Sequence, residues 1–503
     1  MVLLVRGMPV ICLLMQWPAL NVGKTSLLVE LTKALNPTKA LYLAYNRAIA
    51  LEASRKFPKS VTCCTTHSLA FKPTVVEHKL NLGNFNYRNV HSSIDYERRC
   101  ELVDYLKEYF LSAYIHFSDF IEATDIPITK LEVTLLESYI SQMESGDMEC
   151  THEFYLKYFH ILLATGHITY DEFDFIALDE AGDINPVTLE IVKLLPAKRK
   201  ILVGDVRQNI YSFNHTINCF HVMQGQGKEF PMSQSFRVSP EIASRIHTFC
   251  TTYIDPSMQF IGTPQPDSVI RTRAIIARTN TSLISKMIEL NELNTPYTLI
   301  RSADDIFALP KALCFLKHRG FMPPEFKYLQ EDVNDYYEDF ELRSTHKTVL
   351  AYLKALYKED VQISTAIGLL LKYGTKGILA CYDEAKRHER VKTNLYLCTA
   401  HSSKGLQFDE VYIMDDLNVA VAEIQILMKS TDTSYLELSP DQQSELNLYY
   451  VACSRAHKVL LNATQLEYTY TPITTPIRGA LFGDSSDNNF SHLYGNHESA
   501  YFN

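Results

Sequence analysis

An α/β fold in two similar halves is predicted for this chain of 503 residues by three observations. Short apolar runs of strand length alternate with helical segments, the pattern of layered α/β proteins. The polar clusters that carry chemistry follow directly on those runs: Leu178-Asp179-Glu180-Ala181 ends the run from Phe173, and Gly204-Asp205-Val206-Arg207-Gln208-Asn209-Ile210-Tyr211 follows Lys200 to Val203. The alternation is broken twice, at about 74–153 and 303–391, by long, mainly helical stretches without a motif. At this length and with 46% hydrophobic residues, the chain can build more than one core.

Taken in order, Val10 to Met15 reads as the first core strand. It leads straight into Gly23-Lys24-Thr25-Ser26 with no small-residue cleavage site, which argues against a signal peptide. A helix is expected near Ser26–Leu35, a strand at Ala40–Ala44, a helix over Asn46–Lys56, and a strand end with a loop over Thr62–Phe71. Strands resume at Phe173–Leu178 and Lys200–Val203. In the second half Arg273–Ala277 and Tyr297–Ile300 read as strands around a helix at Ser282–Leu293. Strands at Leu395–Thr399, Glu410–Met414 and Lys458–Asn462 flank a helix at about Ser444–Ser454. The stretch from about Pro476 is rich in Gly, Ser, Asn and His, and disorder is expected there.

The formal net charge of −10 excludes a uniformly basic coat but not a local basic groove. Basic runs at Lys198-Arg199-Lys200 and Lys386 to Arg390 read first as solvated faces. The 11 cysteines contain no CxxC pair, which points to thiols in a reducing, intracellular setting (the nucleus in a eukaryote, otherwise the cytoplasm). No apolar run reaches the length of a membrane span.

Gly23-Lys24-Thr25, between a strand and a helix, has the form of a phosphate-loop ending. Backbone N–H groups of Asn21 to Ser26 can face phosphate oxygens, Lys24 can reach the β- and γ-phosphates of ATP, and Thr25 can ligate Mg²⁺. The loop before it, Pro18-Ala19-Leu20-Asn21-Val22, is irregular for a glycine-rich cradle. Asp179 at a strand end suits Mg²⁺ binding and Glu180 suits activation of water, although the pair alone fits an exposed acidic turn equally well. Gln208 is placed to sense the γ-phosphate, and Arg237 in Ser235-Phe236-Arg237 and Arg455 in Val451 to Ala456 are candidate charge stabilisers. Tyr211 and Phe213 suit either base stacking or core packing. Thr399 to Asp409 and Thr65-Thr66-His67-Ser68 are polar loops suited to phosphate or nucleotide contact.

The order of these motifs resembles that of the UvrD/Rep-type superfamily 1 DNA helicases, and among them looks most like the F-box DNA helicase subgroup, with no F-box-like segment before the motor. The likeness is carried by Ala44-Tyr45-Asn46-Arg47-Ala48-Ile49-Ala50, Thr66-His67-Ser68-Leu69-Ala70, Leu178 to Asp183, Gly204 to Phe213, Ser235-Phe236-Arg237, Thr399 to Asp409 and Tyr450 to Ala456. The resemblance implies two RecA-like P-loop NTPase domains, each with a mainly helical insertion: a first motor domain at 1–73 and 154–235 with its insertion at 74–153, and a second at 236–302 and 392–475 with its insertion at 303–391, followed by the tail 476–503.

By the same resemblance, Lys24, Glu180, Gln208, Arg237 and Arg455 are the catalytic set, and Thr25 and Asp179 the Mg²⁺ ligands. Asn21, Gly23, Lys24, Thr25, Ser26, Gly405 and Gln407 would hold the nucleotide. Tyr45, Asn46, Thr66, His67, Tyr211, Phe213, Thr399 and His401 would contact the nucleic acid. The chain departs from the family pattern at Ala19 and Asn21, which replace glycines, at Gly182, which replaces a glutamine, and at Gln407, which replaces a glutamate; the upstream adenine-reading segment is not recognisable before Val10.

The function implied is an ATP- and Mg²⁺-dependent helicase or translocase moving 3′ to 5′ on single-stranded DNA, in repair, recombination or replication. The expected partners are single-stranded or tailed DNA and recombination or replication proteins, with no membrane, and the chain is expected to be a monomer. The irregular phosphate loop leaves a second reading open, a degenerate motor that binds single-stranded DNA or a recombination partner with little turnover. Nothing in the motifs reads a 2′-hydroxyl, so an RNA-directed motor stays open as a third.

Overall fold

A computed structural model of the chain describes residues 10–16, 24–205, 207, 217–230, 232–316, 326–358 and 360–466. The stretch 476–503, expected to be disordered, lies outside them. From the N-terminus the elements are β1 (Val10–Gln16), α1 (Lys24–Leu35), β2 (Ala40–Ala44), α2 (Arg47–Lys56), β3 (Val61–Thr65) and α3 (Thr66–Phe71). Four helices follow, α4 (Tyr96–Leu111), α5 (Phe117–Thr124), α6 (Lys130–Ser145) and α7 (His152–Ala164). Then come β4 (Phe175–Leu178), α8 (Pro186–Leu194), β5 (Arg199–Asp205), α9 (Cys219–Val222), β6 (Lys228–Glu229) and α10 (Pro240–Tyr253). The chain continues through β7 (Arg273–Ala277), α11 (Asn280–Glu292), β8 (Thr298–Leu299), α12 (Ala303–Leu316), α13 (Lys327–Glu338), α14 (Phe340–Thr345), α15 (Val349–Leu356) and α16 (Val361–His388). It ends with β9 (Leu395–Thr399), β10 (Phe408–Ile413), α17 (Asp415–Thr431), α18 (Pro440–Cys453) and β11 (Ala456–Leu461).

Two compact units are present: Met1–Ile270 with Lys404–Asp409 and Met428–Leu460, and Arg271–Ser403 with Glu410–Leu427 and Leu461–Asn503. This division cuts across the motor-domain ranges expected from the sequence, because 236–270 and the segments bearing Lys404 and Arg455 group with the first unit.

The first unit is built on a six-stranded sheet in the order β3-β2-β4-β5-β1-β6, with parallel pairings throughout. Successive side chains of a strand point to opposite faces, and β2 illustrates the result. Leu41 and Leu43 join a core with Ile176, Leu178, Phe154 and Phe159, while Ala40, Tyr42 and Ala44 join another with Leu28, Ala53 and Phe57. A parallel sheet covered on both sides reads in sequence as continuous apolar runs, which is why its strands are legible. The helices α4 to α7 belong to the first of these cores through Leu102, Leu106, Phe117, Leu136 and Phe154. Their starts are set by side-chain caps: Asp95 accepts from Arg98 N–H, and Thr129 and Glu132 form a reciprocal capping box.

In the second unit, β7 lies between β10 and β9, with β8 beyond β9, all parallel; Arg273 pairs with Leu395 and Ala277 with Thr399. Ile275, Ala277, Leu283, Ile306, Leu313, Ile367 and Leu397 form its core. Helix α16 is interrupted at Gly374, whose φ of 67° and ψ of 167° are not helical.

The loop expected after Thr65 is instead α3. Thr65 caps it, its hydroxyl accepting from Ser68 N–H at 3.0 Å. Helices α8, α10 and α17 are additional to those expected; the first two start at Asn185-Pro186 and Ser239-Pro240, a capping residue followed by proline at the first helical position. The described cysteines are thiols rather than disulfides, and no described helix is long and apolar enough to cross a membrane.

Candidate active site

A parallel sheet collects its loops at the C-terminal ends of the strands, and in the first unit a cavity of about 450 Å³ lies there. Lys24, Thr25 and Ser26 enter it from the first turn of α1; Asp179, Glu180 and Asp183 from the loop after β4; Tyr45 and Asn46 from the start of α2; and Arg237, Lys404, Gly405 and Gln407 from loops later in the chain. A larger cavity of about 590 Å³ in the second unit, between α11 and α16, is lined by none of the predicted residues.

The Asp179–Asp183 loop is tied to the strands beside it. Asp179 N–H donates to Leu43 O at 3.0 Å and Ala181 N–H to Val203 O at 2.9 Å. Gly204 and Gly182 make this approach possible. A Cβ on Gly182 would lie 2.5 Å from the Asp205 carbonyl oxygen, and one on Gly204 would lie 2.8 Å from Gly182 N. The tight turn leaves Glu180 in the left-handed region, with φ 53°, a conformation that costs a non-glycine residue about 1–2 kcal/mol. Glu180 is held there by its own N–H, which donates to Asp179 Oδ1 at 2.9 Å, and by an ion pair from Lys24 Nζ to its Oε1 at 2.7 Å.

Lys24 is 3% exposed. Burial works against its charge, but Glu180, Asp179 and Asp205 outweigh that and keep the ammonium above its usual range. Burial likewise pushes the Asp179 carboxyl up, with Lys24 opposing. For Glu180 burial is outweighed by Lys24, with Lys404 and Arg455 adding to it, and the carboxyl is held low. Burial and the adjacent Arg455 charge pull the Arg237 guanidinium down to about 9. The cavity therefore holds an ionised carboxylate, a lysine and an arginine, with Lys24, Asp179, Asp183 and Arg237 buried in its wall and Tyr45, Asn46 and Gln407 exposed.

Three contacts add residues to which sequence reasoning gave no separate role. Tyr42 Oη donates to Asp179 Oδ2 at 2.5 Å, Tyr450 Oη donates to Asp205 Oδ2 at 2.8 Å, and Lys404 Nζ pairs with Asp183 Oδ2 at 2.8 Å. The available signals were slight: a tyrosine inside the apolar string Ala40-Leu41-Tyr42-Leu43-Ala44, and a tyrosine opening Tyr450-Val451-Ala452.

The other predicted residues fall in several places. Arg455 is fully buried and is not among the cavity-lining side chains; its Nε donates to Val451 O at 2.8 Å and its Nη1 to Leu406 O at 3.3 Å. Tyr45, Thr66 and His67 come together around a neighbouring space of about 230 Å³, with Tyr45 55% exposed and Thr66 buried. The His67 ring meets Tyr155 edge-on at 5.7 Å, and Asn46 caps α2, its side chain accepting from Ile49 N–H at 2.9 Å. Thr399 and His401 belong to the second unit, where Thr399 N–H donates to Ser402 Oγ at 2.9 Å. Asn21, Gly23, Gln208, Tyr211 and Phe213, with the loop from Pro18, lie outside the described residues.

The donor set suits a small hard cation. No cluster of three His, Cys, Asp or Glu able to hold a metal is present among the described residues. Mg²⁺ needs none, since it commonly takes one or two protein oxygens and completes its shell with phosphate and water. Thr25 and Asp179 offer such oxygens on the wall that carries Lys24.

Comparison with known proteins agrees with this architecture. The UvrD/REP helicase N-terminal domain matches residues 54–226. F-box DNA helicase protein 1 of Schizosaccharomyces pombe is 24% identical over 500 residues, covering 88% of this chain and 54% of that protein. F-box DNA helicase 1 of Gallus gallus is 25% identical over 487 residues, covering 89% of this chain and 47% of that protein. The chain thus spans about half the length of the curated relatives it matches. With a parallel sheet whose strand ends carry a polar cavity, the chain is similar over residues 54–226 to the UvrD/REP helicase N-terminal domain and, over most of its length, to proteins named F-box DNA helicase.

Proposed function

We propose that the chain is an ATP-dependent DNA helicase or translocase that moves 3′ to 5′ along single-stranded DNA as a monomer, in repair, recombination or replication. The observation that carries this reading is the 2.7 Å Lys24–Glu180 pair beside Asp179, in a cavity that also holds Arg237. A buried lysine that meets a carboxylate in this way can exchange that partner for the terminal phosphates of ATP. The exchange leaves Glu180 to accept a proton from the attacking water. Arg237, with Arg455 behind it, opposes the negative charge that gathers on the transferring phosphoryl group. Thr25 and Asp179 would hold Mg²⁺, which when bound neutralises phosphate charge.

Ser26, Gly405 and Gln407 border the nucleotide in this reading, together with Asn21 and Gly23. Gln208 senses the γ-phosphate. Tyr45, Asn46, Thr66, His67, Tyr211, Phe213, Thr399 and His401 are the residues that would each contact the strand. In this reading, closure of two motor domains on ATP followed by reopening moves the DNA.

The test is ATP hydrolysis with and without single-stranded DNA. Wild type should be stimulated by DNA. Glu180→Gln should lose at least roughly 100-fold in turnover while still binding ATP, the scale of a missing general base, and Lys24→Ala should lose ATP binding as well. A Glu180→Gln variant that hydrolyses ATP like wild type would overturn the assignment. A wild type that binds DNA without stimulated turnover would favour the degenerate motor.

A further inference from the structure

We propose that Tyr42 is a positioning residue for the metal-binding carboxylate of this site, its phenol fixing the Asp179 side chain before a divalent cation arrives. The proposal rests on the reading of Thr25 and Asp179 as Mg²⁺ ligands and adds a residue to that reading.

The geometry is specific. Tyr42 lies at the centre of β2, fully buried, with its ring against Phe57 at 5.0 Å between centroids. Its hydroxyl reaches across to the end of the neighbouring strand and donates to Asp179 Oδ2. That hydrogen bond ties the centre of β2 to the end of β4. Asp179 Oδ1 meanwhile accepts from Glu180 N–H at 2.9 Å. Both carboxylate oxygens are thus aimed by donors, and each keeps lone-pair capacity for another partner.

Core packing does not account for the hydroxyl. A phenylalanine would fill the same space against Phe57, but it would leave Asp179 Oδ2 without this donor at a residue 5% exposed. Groups that orient metal ligands from behind commonly carry a 10- to 100-fold effect on metal affinity.

The experiment is an electron paramagnetic resonance titration of the full chain with Mn²⁺ in the presence of ADP. Tyr42→Phe should weaken Mn²⁺ binding by about 10- to 100-fold while ADP affinity without metal stays within about twofold of wild type. Asp179→Ala is the control that separates the two readings. If Asp179→Ala leaves Mn²⁺ affinity unchanged, the ligand assignment beneath the proposal fails. If Asp179→Ala abolishes binding but Tyr42→Phe matches wild type, the role of Tyr42 fails alone. Should Tyr42→Phe not fold, 3-fluorotyrosine placed at position 42 keeps the hydroxyl. Its ¹⁹F resonance should shift on adding Mg²⁺ to the ADP complex, and an unmoved resonance would refute the proposal.

Discussion

Glu180 shows at the scale of one residue how strain and charge are combined. Its left-handed backbone is forced by a turn that packs without side-chain thickness against Asp205, and its carboxylate is fixed by Lys24. Gly182 is the point where this packing is tightest and where the chain departs from the family's glutamine. Restoring that residue is therefore expected to harm this protein. Gly182→Gln should cost about 1–3 kcal/mol, the usual scale of overpacking, read as a lower urea midpoint; a midpoint equal to wild type would show that the Asp205 backbone yields easily. Lys24, Asp179 and Glu180 were legible in the sequence because each lies where an apolar run gives way to a polar turn. Tyr42 was not, because a buried tyrosine in a strand looks like core until its hydroxyl partner is seen. The Lys404–Asp183 pair was hidden for another reason: no local pattern joins residues so far apart in the chain.

Among the elements, strands were the most legible, and their sequence-read ends differ from the observed ones by only a few residues. Burial on both faces makes the central strands β2 and β4 short, unbroken apolar runs, whereas the exposed Lys-Glu pair of β6 gave no such signal. Helices α10 and α17 were harder. Polar side chains stud both, and the Ser239-Pro240 start signal is only two residues long. The break in α16 could not be read at all, since a glycine inside a helical pattern is ordinarily tolerated. At Gly374 no neighbouring atom would obstruct a Cβ, so the only barrier to another residue is backbone conformation. Gly374→Ala should therefore destabilise the protein by about 1–3 kcal/mol through strain alone. Chemical denaturation is the measure, and an alanine variant as stable as wild type would mean that the break straightens without cost.

Across the whole molecule, buried bases make stability depend on pH. His160 is 2% exposed, and burial together with the nearby Lys157 charge pulls its imidazole down to about 4. Its ordinary value is near 6.5, so between about pH 6.5 and 4 the unfolded chain binds the proton more readily than the folded one. Stability should accordingly fall as pH is lowered through that window, by up to roughly 3 kcal/mol from this histidine. Urea midpoints at pH 7.5 and 5.0 should show a drop that is smaller in His160→Phe; an identical drop in both proteins would exclude His160 as the source. The two-half α/β plan was visible in the sequence, but the grouping into compact units was not, because it depends on which distant loops return to the first sheet. That return has a consequence during synthesis. The first unit draws on stretches ending at Ile270, Asp409 and Leu460. A ribosome that has made only the first stretch has exposed Asp183 and Asp205 before Lys404 and Tyr450 exist to meet them. All six strands of the first sheet lie within that stretch, so the sheet can form early, but those two carboxylates stay hydrated until Lys404 and then Tyr450 have left the exit tunnel.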